Sequence, residues 1–247
     1  MSLPKQNPNA DSATVGSGLK SLYAIGGVAA ILQLVAILSY SVVVGTLGQK
    51  PTTAAEYFAI HQSSTLQAFF RGDFLLMILI GLYLGTFPPL YVALRRINPV
   101  YTALATLFTL IAVSLSFANE STFSLLHLGD QYIAATSEMQ RAQLLAVGEA
   151  IIAADMWNSS GAYMSGILLQ GAGVMISVIM LRSQDFSRVT ANAGLLGNGF
   201  DLLQHILHPF APSISAFIMM IMGLFYFVWF PMLARDLFRL GRSNPKI

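Results

Sequence analysis

Six stretches of this chain stay apolar for roughly the length of a membrane-crossing helix, and its polar positions gather between them instead of alternating within them. They run from Leu22 to Leu47, Leu66 to Leu94, Val100 to Ala118, Trp157 to Leu181, Val189 to His208 and Ser215 to Leu233. Each comes near the ~20 residues that a helix needs to cross about 30 Å of hydrocarbon. The pattern predicts an all-α, polytopic membrane protein with six transmembrane helices and short outer-surface helices. Two connections carry helix signals of their own. Thr53 to Glu56 forms a capping box ahead of Tyr57, Phe58 and Ile60, which predicts a short surface helix after the first span. Ser137 to Gln140 forms a second one ahead of the largely apolar Leu144 to Ala154, which predicts a helical cap over one mouth of the bundle. The short turn from Pro209 to Pro212 makes the last two spans an antiparallel hairpin. Pro88, Pro89 and Pro231 lie inside spans, in a similar order near the ends of the second and sixth, and predict bends there.

Charge gives the pattern a direction. Lys5, Lys20, Arg95, Arg96, Arg182, Arg188, Arg235, Arg239, Arg242 and Lys246 fall on one side of the six spans, and only Lys50, Arg71 and Arg141 on the other. By the preference of Lys and Arg for the cytoplasm, the expected location is the cytoplasmic (inner) membrane, multi-pass, with both termini cytoplasmic. Glu56, Asp73, Glu120, Asp130, Glu138, Glu149 and Asp155 collect on the outer side, with all four histidines at or near it. A polar site would therefore open outward. Residues 1–18 read as a disordered cytoplasmic tail with no evident signal peptide, 19–241 as the six-span domain and 242–247 as a cytoplasmic tail. With 55% hydrophobic and 10% charged residues, the chain has too little charge to cover a soluble domain. The absence of cysteine excludes disulfides, thiolate metal sites and thiol nucleophiles. A net charge of +2, explained by topology, implies no nucleic-acid partner, and the partners expected are the lipid bilayer, other membrane subunits or a lipid-like ligand.

Arg71 entering a long apolar run, the Pro88-Pro89 pair, the exit Leu94-Arg95-Arg96-Ile97-Asn98-Pro99 and the aromatic, Trp-bearing stretch Phe225 to Phe230 resemble a bacterial and archaeal family of small multi-span proteins. That family is catalogued only as a domain of unknown function, and the resemblance covers about residues 20–240. It implies a fold and no activity.

The fifth span holds the sharpest chemical signal. Asn198, Asp201, His205 and His208 follow at i, i+3, i+7 and i+10, a single stripe of one helix, beside the narrowing glycines Gly194, Gly197 and Gly199. Such groups are expensive against lipid, so the stripe is expected to face the bundle. If the third helix continues past Ala118, Glu120, Ser124 and His127 share a face at the same depth, and Arg71, Asp73 and Asp155 stand at the outer ends of the second and fourth spans. The expectation is an outward-facing Asp/His/Glu pocket lined by Arg71, Asp73, Ser124, Asp155 and Asn198. Asp201, His205, His208 and His127 are candidate ligands for zinc or another divalent metal, and Glu120 is a candidate general base. The kit resembles that of intramembrane zinc hydrolases of the ceramidase and adiponectin-receptor type. Haem between His127 and His205 is a further possibility, as is a stripe that only hydrogen-bonds neighbouring helices. His61 reads as solvated, and Met219, Met220 and Met222 as packing or lipid-facing residues rather than a copper site. The functional expectation is a binding or assembly protein, either a membrane subunit or a sensor. The alternatives are a metal-dependent intramembrane hydrolase of a lipid-like substrate and a small transporter.

Overall fold

A computed structural model describes residues 8–155 and 157–243, which form eleven helices and no strand among the described residues. Helix α1 (Pro8–Leu47) starts inside the stretch expected to be a tail. Most of the expected C-terminal tail, 244–247, lies outside the described residues. Gly48, with φ of +97°, follows α1 and turns the chain away, a conformation that a side chain would strain. The guanidinium of Arg71 closes over this turn.

The surface helix expected after the first span is α2 (Ala54–Ser63), capped by Thr53, whose hydroxyl accepts from the Glu56 amide at 3.2 Å. Ser64 then ends α2 and caps α3 (Thr65–Arg71). The apolar run expected to be continuous from Leu66 to Leu94 is broken at Gly72 and Asp73. Only α4 (Phe74–Gly81) and α5 (Tyr83–Leu94), joined through Leu82, are continuous enough to cross a membrane. The physical cause is a tertiary contact: Gly72 packs against the Thr122 side chain with no room for a Cβ, and the Asp73 amide donates to the Thr122 hydroxyl at 3.2 Å.

Helix α6 (Pro99–Ala118) has Asn98 as N-cap and proline in its first turn. It stops at Asn119, and α7 (Thr122–Ala134) begins a new helix, so Glu120, Ser124 and His127 do not continue a face of α6. The expected cap is α8 (Glu138–Ala153), started by Ser137. Helices α9 (Ser160–Met180), α10 (Arg188–Leu207) and α11 (Pro212–Arg242) complete the chain. Among the described residues, five stretches are long and apolar enough to cross a membrane: 17–47, 74–94, 99–134, 160–180 and 212–242.

The long helices close into a ring, α1–α5–α6–α9–α10–α11 and back to α1, with α10 wedged between α9 and α11. Its interior is built from Leu90, Leu94, Ile176, Met180, Trp229, Phe230, Leu233 and Leu237, all at most 1% exposed. Gly26 and Gly27 let α1 meet both proline-bearing helices, since Pro89 and Leu237 sit over Gly26 and Phe238 over Gly27. A second, smaller core of Ala54, Tyr57, Phe58, Ala68, Leu125 and Ile152 joins α2, α3, α7 and α8 into a lid at one end. Gly148 admits the Phe58 ring, and Phe58 packs on Tyr132 at 5.2 Å between centroids.

Candidate functional site

Where the lid meets the ring, three loops converge on one cation. Lys50, from the turn after α1, bridges Asp73, at the α3–α4 break, and Asp155, after α8. Both carboxylates are almost fully buried, at 3% and 2% exposed, and their other lone pairs are also met. The Trp157 indole donates to Asp73 at 3.0 Å, and Asp155 accepts from the Trp157 amide at 2.8 Å and the Asn158 amide at 3.1 Å. Burial alone would lower the Lys50 pKa, but the two carboxylates outweigh it and hold the ammonium above its usual value. Arg71 does not pair with Asp73. It grips the Gln49 carbonyl at 2.6 and 2.9 Å and Glu56 at 3.1 Å.

The lid is fastened again at two points. Glu149 of α8 accepts from the Ala54 amide at 2.8 Å, satisfying the first turn of α2 from another helix. His61, expected to be solvated, is instead buried at 3% exposure. Its Nε2 meets Asp130 of α7 at 2.8 Å, its ring fills the space above Gly129, and its Nδ1 has no partner among the described residues. Tyr57, one turn earlier on the same buried face, has a hydroxyl held strongly in its neutral form, first by burial and then by the nearby Glu120 and Asp73.

A second polar group lies inside the ring on the expected stripe. Asp201 accepts from the Tyr226 hydroxyl of α11 at 2.8 Å and the Gln204 amide at 3.2 Å, and it lies 3.0 Å from His205 Nδ1. Gln170 of α9 lies 3.0 Å from the same Tyr226 hydroxyl, and Ser215 of α11 donates to Gln204 at 2.7 Å. Asn198 is fully buried, donates to the Gly194 carbonyl at 2.7 Å and occupies the gap left by Gly173 of α9. The His205 ring fills the corresponding gap at Gly166. Small residues thus let α9, α10 and α11 close until their polar groups satisfy one another. His208 is half-buried and, with His205, Gln204, Trp157, Ala162 and Tyr163, lines a cavity of about 20 Å³. That is room for about one water.

The four candidate ligands do not all converge, because His127 lies apart from Asp201, His205 and His208. His127 is exposed on α7 and hydrogen-bonds Gln131 on its own helix at 2.8 Å. Helix α7 packs on α2, α3 and α8, away from the α10 stripe. No three His, Asp or Glu side chains among the described residues stand close enough to hold a metal. Glu120, the candidate base, caps α7 locally by accepting from the Thr122 amide at 2.8 Å, and Ser124 is exposed. Of the expected pocket, Asp73 and Asp155 meet at Lys50, Asn198 belongs to the α10 network, and Arg71 and Ser124 join neither. Met220 is exposed and Met222 packs at the core edge. Asp236 escaped the sequence reading altogether. Fully buried near the far end of α11, it accepts from the Ser187 amide at 2.9 Å and the Thr190 hydroxyl at 2.6 Å at the start of α10, and from Arg235 at 2.9 Å. The signal was present as a lone acid in the basic stretch from Arg235 to Arg242.

A ring of mostly apolar helices, closed at one end by a salt-bridged helical lid, has the make-up of a polytopic helical membrane protein. The particular family follows from the sequence: the chain belongs to the domain of unknown function family DUF4386, whose pattern matches residues 24–233. No curated protein and no solved structure matches the chain.

Proposed function

We propose that this protein is a six-span inner-membrane protein, both termini cytoplasmic, that acts as a binding or assembly subunit and presents its lid to a partner on the outer side. Helix α10, the fifth in chain order, is the span added to the five long apolar stretches in this reading. Its exposed face carries Val189, Leu196, Leu203 and Ile206, an apolar line of about 26 Å at 1.5 Å per residue, while its polar stripe is covered by α9 and α11. An even number of spans also puts Lys20, Arg95, Arg96, Arg182, Arg188, Arg235, Arg239 and Arg242 on one side.

The observation that carries the functional reading is the mutual satisfaction of the stripe. Asp201, Gln204, His205 and Tyr226 spend their hydrogen bonds on one another, beside a cavity for one water. That arrangement favours a role in holding helices together over hydrolysis at a bound metal. The lid, by contrast, is fastened by buried ions yet shows Ile133, Met139 and Val147 to the outside. A photo-crosslinking amino acid at Met139 or Val147 is expected to give a discrete higher-mass adduct in native membranes, and one at the lipid-facing Ile25 only smeared lipid adducts. Absence of any adduct from the lid positions would sink the assembly reading. Topology is tested separately with single cysteines. An impermeant thiol reagent on intact cells should label Gln140→Cys and spare Ser243→Cys, and the reverse result would invert the orientation.

A further inference from the structure

The polar stripe on α10 does not end with Asn198. Toward the N-terminus of the helix it continues through Gly194 to Thr190 and Ser187, at the same spacing of three or four residues. Thr190 and His208 are 18 positions apart, about 27 Å at 1.5 Å per residue, against about 30 Å of hydrocarbon. A buried carboxylate stands toward each end of this line. On the lid side, Asp201 lies 3.0 Å from His205 Nδ1 and accepts from Tyr226 at 2.8 Å, and His205 and His208 line the one-water cavity. At the far end, Asp236 accepts from the Thr190 hydroxyl at 2.6 Å, and that hydroxyl lies 2.8 Å from Ser187 Oγ. Between the two carboxylates, polar contacts run from Asp201 through Tyr226 to Gln170, at 3.0 Å, and toward Asn198, at 3.5 Å. They lapse at Gly194. There the Ser177 hydroxyl of α9 and the Trp229 indole of α11 each come within 2.5 Å of the point where a Cβ would stand, so they are at most about 5 Å apart, a separation that one water bridges. Trp229 is buried at 1% exposure, and its N–H has no acceptor among the described residues. An indole can only donate, so this one calls for an oxygen.

We propose that the seam between α9, α10 and α11 conducts protons across the membrane, with Asp201 as its central carrier and water between Ser177 and Trp229 bridging the gap. Ionisable residues inside spans are costly, and chains of Asp and His there are a recurrent form of proton relay. The cavity at His205 has room for about one water, too little for a hydrated ion, so the ion passed is the proton. Among the described residues, the titratable groups around Asp201 are His205 on its own helix, Tyr226 of α11 and Tyr83 of α5, which lies within electrostatic reach, while α9 presents Gln170 and, at the cavity, Tyr163. His205 takes a proton from the cavity and releases one from Nδ1 to Asp201. Once neutral, Asp201 donates to the Tyr226 oxygen that had donated to it, and the Tyr226 hydrogen turns inward past Asn198 to the bridging water. That water passes a proton by way of Thr190 to Asp236, and after one proton has entered and one has left each group is as it began. The proposal rests on α10 crossing the bilayer, as argued above, but not on its orientation or on a partner at the lid.

The test uses the full-length chain reconstituted in phosphatidylcholine vesicles loaded with a pH-sensitive dye, with a potassium gradient and valinomycin driving protons inward. Flotation and resistance to an alkaline wash report insertion separately, and a chain that fails there refutes the six-span reading and the relay with it. Inserted wild type is expected to pass protons well above the rate of protein-free vesicles. Asp201→Asn should fall to the protein-free rate. Tyr226→Phe, which keeps the ring and removes only the hydroxyl, should run at least about tenfold slower than wild type, since a positioned proton-transfer group contributes about 10²- to 10⁴-fold. Asp130→Asn, which alters an exposed acid of the lid outside the seam, should conduct like wild type. A wild type no faster than protein-free vesicles overturns the proposal, and so does wild-type flux in inserted Asp201→Asn or Tyr226→Phe. If Asp201→Asn does not insert, Tyr226→Phe decides alone.

Discussion

Two of the buried carboxylate sites in this protein are held by opposite kinds of partner. At the lid, Asp73 and Asp155 share the Lys50 ammonium where the lid meets the bundle. Inside the ring, Asp201 meets a tyrosine hydroxyl, a glutamine amide and one imidazole. Opposite charges at about 4 Å attract by about 4 kcal/mol in a medium of effective dielectric 20, whereas a hydrogen bond between membrane helices is worth about 0.6–2 kcal/mol. Desolvating the three ions offsets much of that attraction, so the weight of the first site shows when its cation is lost and two buried charges are left unpaired. The second is a shared seam in which each member contributes little and geometry contributes most.

The largest expected effect tests the fastener. Lys50→Met strands two carboxylates, both nearly inaccessible to water, and should lower stability by about 3–5 kcal/mol in detergent thermal unfolding. Adding Asp73→Asn and Asp155→Asn should recover much of the loss, since the Asn side chains can still accept bonds from Trp157 and Asn158. A Lys50→Met protein as stable as wild type would show that the lid does not depend on the triad. The same residue predicts a pH dependence. Its pKa is raised in the folded state, so its contribution is fully present below the unfolded lysine value of about 10.4 and disappears as pH climbs through the higher folded value. The stability gap between wild type and Lys50→Met should accordingly be constant from pH 6 to 9 and narrow above about pH 10.5.

The seam yields to geometry before chemistry. A methyl group at Gly173 would overlap the Asn198 side chain, which is fully buried and tied to the Gly194 carbonyl. Gly173→Ala should cost about 1–3 kcal/mol by overpacking. Asn198→Ala opens the space, so the double variant should be more stable than the sum of the two single losses implies. Strict additivity would mean that α9 and α10 do not touch there. Removing one seam hydrogen bond should matter less: Tyr226→Phe is expected to lower stability by about 0.6–2 kcal/mol. Protein purified without chelator should carry far less than one equivalent of zinc, iron or manganese, and stoichiometric metal lost on His205→Ala would turn the seam back into a ligand set.

The sequence spoke most clearly where periodicity and capping coincide. Val100 to Ala118 and Val189 to His208 match α6 and α10 to within one residue, because Asn98 and Ser187 are strong N-caps before unbroken patterns. The stripe of Asn198, Asp201 and His205 was also legible, since residues at helical spacing share a face whatever packs on it. Its partners Gln170, Tyr226 and Ser215 were not, because they come from helices whose rotation depends on the glycines between them. The break at Gly72 was hidden inside an apolar run, as no local pattern announces that Thr122, about fifty residues on, needs that space. Lys50 looked like a topological outlier, and only the folded lid reveals the two acids it joins. Gly129-Asp130 is the feature that should have flagged His61, a missing side chain beside a fitting acceptor.

The smallest predicted effect asks whether burial, more than pairing, sets these energies. His61 Nε2 and Asp130 meet at 2.8 Å, as close as a hydrogen bond, but the Asp130 side chain is 72% exposed. Water already solvates that carboxylate, so Asp130→Asn should change stability by no more than about 1 kcal/mol and leave the lid in place. His61→Ala, which empties a packed site above Gly129 and uncovers α2, should exceed it. Measured by thermal unfolding and by hydrogen exchange across α2 and α7, the pair should separate cleanly: slow exchange retained in Asp130→Asn, faster exchange in His61→Ala. Equal and large losses from both would mean that the lid is fastened by charge even at its exposed rim, and the contrast drawn between the two carboxylate sites would then be one of position alone.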